Sequence, residues 1–242
     1  MGAHHGAHPF SLETMRYQTN PDVSFCRIGG NLVFLDVARD RYFRLPPSLE
    51  NEFVHAARGA PQDTAALDAL IGLEVIVASS DTRAGIHPVT STLPSTSLLE
   101  QGHIETDCAL KVGTFLEVLA HVVSMRLRLR FQPLSAVLAN ASVYRDTKTA
   151  TYAARAPANF TTDLQTMTQL FRRARRLVPI EPICLLDSLA LLHFLARRGL
   201  PANLIFGIAL NPFSAHCWLQ AGETALNESL TVVAAHTPIR IV

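Results

Sequence analysis

Cys184 opens an apolar run, just after Pro182 and Ile183. The run, 184–198, is followed by Gly199 and Pro201, and Leu185, Leu186, Leu189, Leu191, Leu192, Phe194 and Leu195 leave it apolar nearly all round. It reads as a buried helix marked at both ends. A thiol in the first turn faces unpaired N–H groups and the positive end of the helix dipole. Both favour the thiolate and lower its pKa. Cys184 is therefore a candidate nucleophile. The candidate base is His216, in the run Ser214–Gln220, which reads as a strand. Alternation puts His216, Trp218 and Gln220 on one face and Ala215, Cys217 and Leu219 on the other. A strand imidazole beside the helix start can take the thiol proton and return it to a leaving amine.

A third group should orient the imidazole. The next strand offers Asn227 and Glu228, and pairing register chooses between them. A two-residue turn at Ala221-Gly222 sets Asn227 opposite His216. A three-residue turn, Ala221 to Glu223, sets Glu228 there. Asp187, one turn into the helix, is a weaker candidate. Cys217 reads as a core residue if the strand is regular, and Cys26 and Cys108 have no neighbours that suggest chemistry. His193, inside the apolar run, reads as core, and His236 receives no role. The arginines 172, 173, 175 and 176 end a helix over 162–177 and read as a solvated face that pairs with the helix dipole.

The elements that must position these groups form two parts. Short runs over 23–28, 32–37 and 41–45, separated by Gly29-Gly30-Asn31 and Asp40, read as a three-stranded meander. Helices follow from Pro46-Pro47-Ser48 to Gly59 and from Asp63 through Leu67, Leu70 and Ile71, and 73–78 reads as a short strand. Residues 79–106 are rich in Ser, Thr and Pro and read as a linker. From 107 onward helices come first (110–129, 162–177, 184–198). Strands follow over 203–210, 214–220, 224–227 and 237–242. The expected organisation is a tail over 1–20, a small domain over 21–78, the linker, and a larger α+β domain over 107–242.

Composition narrows the function classes. The chain has 242 residues, 48% hydrophobic and 17% charged, enough apolar material for two cores. Lys+Arg 21 against Asp+Glu 20 gives a formal charge of +1, so no global field attracts nucleic acid. Four cysteines without a C-x-x-C pair argue against a disulfide scaffold and a structural zinc site. No apolar run is long enough to cross a membrane. The first ten residues carry three His and no Lys or Arg, unlike a secretory signal. A reducing cytoplasm is the expected location. No metal and no cofactor are called for, and no phosphate-binding G-x-x-x-x-G-K-[ST] loop is present.

The stretch CLLDSLALLHFLARRGLPANLIFGI from Cys184, then SAHCWLQAGETALNES and the terminal TPIRIV, resembles the transglutaminase-like cysteine proteases of lasso-peptide biosynthesis, the B proteins. The likeness is close over roughly the last 60 residues and loose over 107–180. Residues 23–78 resemble the small winged-helix-like peptide-recognition domain typified by the pyrroloquinoline-quinone biosynthesis chaperone. Together the two resemblances imply the fused form of the family: a leader-binding module joined to a transglutaminase/papain-like α+β cysteine protease domain.

The resemblance implies a leader peptidase. Its nucleophile maps to Cys184, its base to His216 and its acid to Glu228, with Asn227 as the alternative third member. The family has Asp where this chain has Glu228, one methylene longer. The leader of a ribosomally made precursor would add as a strand beside Arg41, Tyr42, Phe43, Arg44 and Leu45. It would lie against the helix carrying Leu67, Leu70 and Ile71. The implied partners are the precursor and an ATP-dependent macrocyclase similar to asparagine synthetase. Two other readings stand beside this one: a non-catalytic peptide-binding scaffold, and a transglutaminase-type acyl transferase that passes the acyl group to an amine. DNA binding by the winged-helix-like part has only Arg39, Arg41 and Arg44 behind it.

Overall fold

The computed structural model describes residues 16–81, 83–101, 110–150 and 160–242. The first half carries β1 (Arg16–Thr19), β2 (Val23–Ile28), β3 (Asn31–Asp36), β4 (Arg41–Phe43), α1 (Pro47–Ala57), α2 (Thr64–Gly72), β5 (Ile76–Ser79) and β6 (Thr96–Ser97). The second half carries α3 (Val112–Phe131), α4 (Leu134–Thr149), α5 (Phe160–Arg175), α6 (Cys184–Ala196), β7 (Asn203–Ala209), β8 (Ser214–Ala221), β9 (Thr224–Ala225), α7 (Leu230–Ala234) and β10 (Thr237–Ile241). The chain is α+β, as its patterning implies. Among the described residues no helix is long and apolar enough to cross a membrane.

The chain divides into two compact units, and the division runs differently from the one expected. One unit joins Met1–Pro21 to Leu45–His87; the other joins Asp22–Arg44 to Pro88–Val242. The meander β2-β3-β4 forms as its turn signals predict, with antiparallel register throughout. It nevertheless belongs to the larger unit, with β2 beside β10. A boundary at 78/107 does not capture this arrangement, because composition reports what is adjacent in sequence and not what packs together.

The smaller unit holds α1, α2 and an antiparallel β1-β5 pair. Asp63 caps α2, its carboxylate accepting from Ala66 N–H at 3.1 Å. The buried Glu52 accepts from the N–H groups of Gln62 and Asp63, both at 3.0 Å. Residues 16–19 are a strand where the sequence suggests a tail. The His-bearing first ten residues and Cys108 lie outside the described residues.

In the larger unit α6 is the axis. Every residue from Leu186 to Ala196 except Asp187 is buried, with α3, α4 and α5 packed against it and β8 on another side. The five-stranded sheet has the order β10-β7-β8-β9-β6. The helix α4 escapes a sequence reading because its apolar residues make only a narrow stripe, Val137, Leu138 and Ala141. Its one signal is Pro133 at the N-cap. Part of the expected linker is built in: β6 pairs in parallel with β9, and Leu98 is 2% exposed. Gly207 faces His216 across β7 and β8, and a Cβ there would come to 2.7 Å of the Trp218 ring. Its lack of a side chain lets the buried indole lie across the strand.

Candidate active site

The first turn of α6 presents its donors bare. The N-cap residue Ile183 is extended and offers no side-chain cap, and the first helical bond runs from Asp187 N–H to the Ile183 carbonyl. The N–H groups of the turn that holds Cys184 are therefore free of the usual capping oxygen. Cys184 is partly buried at the floor of a cleft of about 310 Å³ that also takes in His216, Cys217 and Glu228.

The thiol of Cys184 is pulled down to about 4. The largest cause is a hydrogen bond from the Cys217 thiol; the next is a hydrogen bond from His216, and the imidazolium charge adds to both, while burial opposes them. His216 is raised in turn, first by its bond to Cys184, against burial, and then by Glu228. Its Nε2–H donates to Glu228 Oε2 at 2.6 Å, which leaves Nδ1 for the sulfur. Each group thus favours the charged form of the other, the thiolate of Cys184 and the imidazolium of His216.

Glu228 reaches His216 by neither of the two registers considered from sequence. The loop is Gly222-Glu223, with Ala221 opposite Thr224 and Gln220 opposite Ala225. Gly222 takes a positive φ of 56° there, which suits a two-residue hairpin loop. Leu226 N–H still donates to the Leu219 carbonyl, and then the chain leaves the ladder. Continued pairing would have set Ser229 opposite His216. The departure swings Glu228 to the imidazole, and neighbours hold it there. Glu228 Oε1 accepts from Ser229 N–H at 2.9 Å, and Ser97 Oγ–H donates to the Glu228 carbonyl at 2.6 Å. Glu100 accepts from Leu230 N–H at 2.8 Å. The stretch that reads as a linker therefore fastens the acid's backbone. Sequence reasoning misses Ser97 and Glu100 because they lie about 130 residues from what they hold.

Asn227 goes elsewhere. Its Oδ1 accepts from Leu219 N–H at 2.7 Å and its amide donates to Ser188 Oγ at 2.9 Å. It ties β8 to α6, so both ends of its amide are engaged away from His216. Asp187 lines the cleft but pairs with another group, accepting from Arg175 Nε at 2.7 Å. Burial raises the Asp187 pKa, and Arg175 works against that rise.

The structure adds to one expectation from the sequence and corrects another. Cys217 is buried in the core, as expected, and it is also a neighbour of the Cys184 sulfur. Its own pKa is raised well above the ordinary value, first by the Cys184 contact and then by burial, so it keeps its proton and donates. Strand alternation does not show this because it reports which face a side chain takes and not which residue of another element lies against it. Arg175 is 8% exposed and lines the cleft with Arg172, so the basic end of α5 is not simply a solvated face. His236 is anchored: Nδ1–H donates to the Val232 carbonyl at 2.7 Å, and Nε2 accepts from Ser214 Oγ at 3.0 Å.

Among the described residues the strand suggested for peptide addition is the last in its sheet, β4 pairing with β3 alone. Arg41 is exposed and stacks over the Phe43 ring at 5.1 Å; Arg44 donates to Asn31. Tyr42 packs against the core of the larger unit and meets Phe213 edge-on at 5.5 Å. Burial first, with electrostatic contributions from Cys217, Asp40 and Cys184 behind it, pushes Tyr42 up to about 12, so β4 runs within electrostatic reach of the Cys184 sulfur. Leu45, Leu67, Leu70 and Ile71 belong to the smaller unit. Leu45, Leu67 and Leu70 are buried, and Ile71 is 37% exposed.

A thiol at a bare helix start, an imidazole from the neighbouring strand and a carboxylate behind it make an arrangement suited to nucleophilic cysteine chemistry on an α+β scaffold. The chain belongs to the transglutaminase-like superfamily, whose family model matches residues 116–240, more than half its length. Neither a curated protein nor a solved structure matches it. This membership fits a cysteine-protease or acyl-transferase activity.

Proposed function

We propose that this protein is a leader peptidase of lasso-peptide biosynthesis. It would bind the leader of a ribosomally made precursor and cut it from the core, leaving a free core amine for an ATP-dependent macrocyclase. The observation that carries the reading is the hydrogen-bonded series Cys184, His216 and Glu228 at the open first turn of α6. The thiolate attacks the last leader carbonyl, and the uncapped N–H groups of the first turn receive the developing oxyanion. The imidazolium gives its proton to the departing amine as the C–N bond breaks. The neutral imidazole then takes a proton from water, which attacks the thioester and releases the leader as a free acid. Glu228 steadies the imidazolium throughout.

The β4 edge supports leader addition beside Arg41–Phe43. Superfamily membership favours one second reading, transfer of the acyl group to an amine. Incubating the protein with its candidate precursor and weighing the fragments tests both. A leader released as a free acid is expected, and an amide would mean transfer. Cys184→Ala is expected to bring cleavage to background, a loss on the order of 10⁵–10⁶-fold. Cleavage that survives this substitution would leave a peptide-binding scaffold.

A further inference from the structure

Ile183 is 49% exposed and stands between two hollows. One is the catalytic cleft. The other, of about 710 Å³, lies among the β3–β4 turn, the end of α3, the start of α4 and the start of α6. Its floor includes Leu129, Leu134 and Leu185, and its rim carries Arg126 and Arg130. It is large enough for several side chains of a peptide.

The charge of this hollow is specific. Arg126 and Arg130 lie four residues apart on α3 and so project from one helix face. Both are exposed, and neither is in an ion pair among the described residues. The third rim arginine, Arg39, is paired with Asp36 at 3.0 Å, and Asp40 is the one carboxylate lining the space. Two guanidinium groups without an ion-pair partner among the described residues, over an apolar floor, complement a peptide with acidic and apolar side chains. The position is specific too. The β3–β4 turn that lines the hollow leads into β4, the last strand of its sheet among the described residues, and Ile183, which lines both hollows, leads to Cys184.

We propose that this cavity binds the stretch of the peptide substrate between the strand-paired segment and the scissile bond, selecting an acidic side chain flanked by apolar ones. The proposal rests on the reading that Cys184 cuts a peptide, and it adds a recognition site with a stated chemistry.

Two fluorescein-labelled peptides test it by anisotropy, Leu-Glu-Leu-Leu-Glu-Leu and Leu-Lys-Leu-Leu-Lys-Leu, with the full-length protein carrying Cys184→Ala to prevent turnover. The acidic peptide is expected to bind at least about tenfold more tightly than the basic one. Arg126→Glu with Arg130→Glu is expected to reverse that order, and Arg128→Glu, which lies outside the hollow, to leave it unchanged. Made in the protein that retains Cys184, the same double substitution is checked by iodoacetamide, and labelling of Cys184 at the wild-type rate shows that it leaves the fold intact. If it does not, Arg126→Gln with Arg130→Gln replaces it and is expected to erase the preference. Equal binding of the two peptides, or a preference that survives both double substitutions, overturns the proposal. Binding is read without cleavage, so a failure of leader cutting does not disturb this result. A failure here leaves the fragment masses of the precursor assay as they were.

Discussion

The two ends of α6 carry reactive side-chain types in opposite states. At the head, Cys184 and His216 share a proton among donors and a carboxylate, partly open to solvent. Further along the same helix, His193 is 5% exposed and packs 4.5 Å from the Tyr144 ring and 6.2 Å from His121. Its Nε2 is buried without a hydrogen-bond partner. Burial, reinforced by the positive charge of Arg128 and by His121, drops His193 to about 4. Burial acts on both histidines in the same direction. At His216 the bonds to Cys184 and Glu228 overcome it, and at His193 nothing does. Chemistry here comes from the partners a group is given and not from its type.

Removing a partner at the head should cost most. Glu228→Gln keeps the shape but takes away the charge that steadies the imidazolium, and a fall in kcat of about 10²–10⁴-fold is expected. An unchanged kcat would move the orienting role off Glu228. At the other end, the sign of His193 follows from its lowered pKa. Between pH 6.5 and about 4 the unfolded chain holds the extra proton, so folding stability falls as pH drops through that window. His193→Phe should remove up to ~3 kcal/mol of that acid-dependent loss and leave peptide cleavage intact. Urea melts at pH 7 and pH 5 measure it, and equal pH sensitivity in the two proteins would erase the contrast between the helix ends.

Asn227→Ala should lower stability by about 1–3 kcal/mol through the orphaned Leu219 N–H while kcat changes far less than in the Glu228 variant. A kcat loss as large as that of Glu228→Gln would bring Asn227 back as the third member. The smallest effect is assigned to Cys217→Ala. Losing the S–H donor raises the Cys184 pKa above about 4, so the midpoint of iodoacetamide labelling moves to higher pH. At a fixed pH below the new midpoint, labelling slows about tenfold for every pH unit by which that midpoint climbs. An unmoved midpoint would return Cys217 to the inert core.

Much of the site is legible in the chain. Pro182 marks the start of α6, Gly199 and Pro201 mark its end, and its own side chains announce its burial. Alternation places β8 and, on it, His216. These are local signals, set by the periodicity of a helix or strand and by the residues that start and stop them. The choice of Glu228 over Asn227 is not local. It depends on where the hairpin turns, Gly222-Glu223, and on where the ladder ends, after Leu226. A one-residue change in either redirects every side chain that follows.

Residue order alone was enough for the reactive types, the helix that carries the thiol and the strand that carries the imidazole, because backbone periodicity and end signals act over a few neighbours. It took folding in three dimensions to bring the Cys217 donor to the sulfur, pair Arg175 with Asp187, pin Glu228 through Ser97 and assign the β2-β3-β4 meander to the larger unit. Those contacts join residues far apart along the chain. Their strength depends on distance and burial in space, which no local pattern of residue types records.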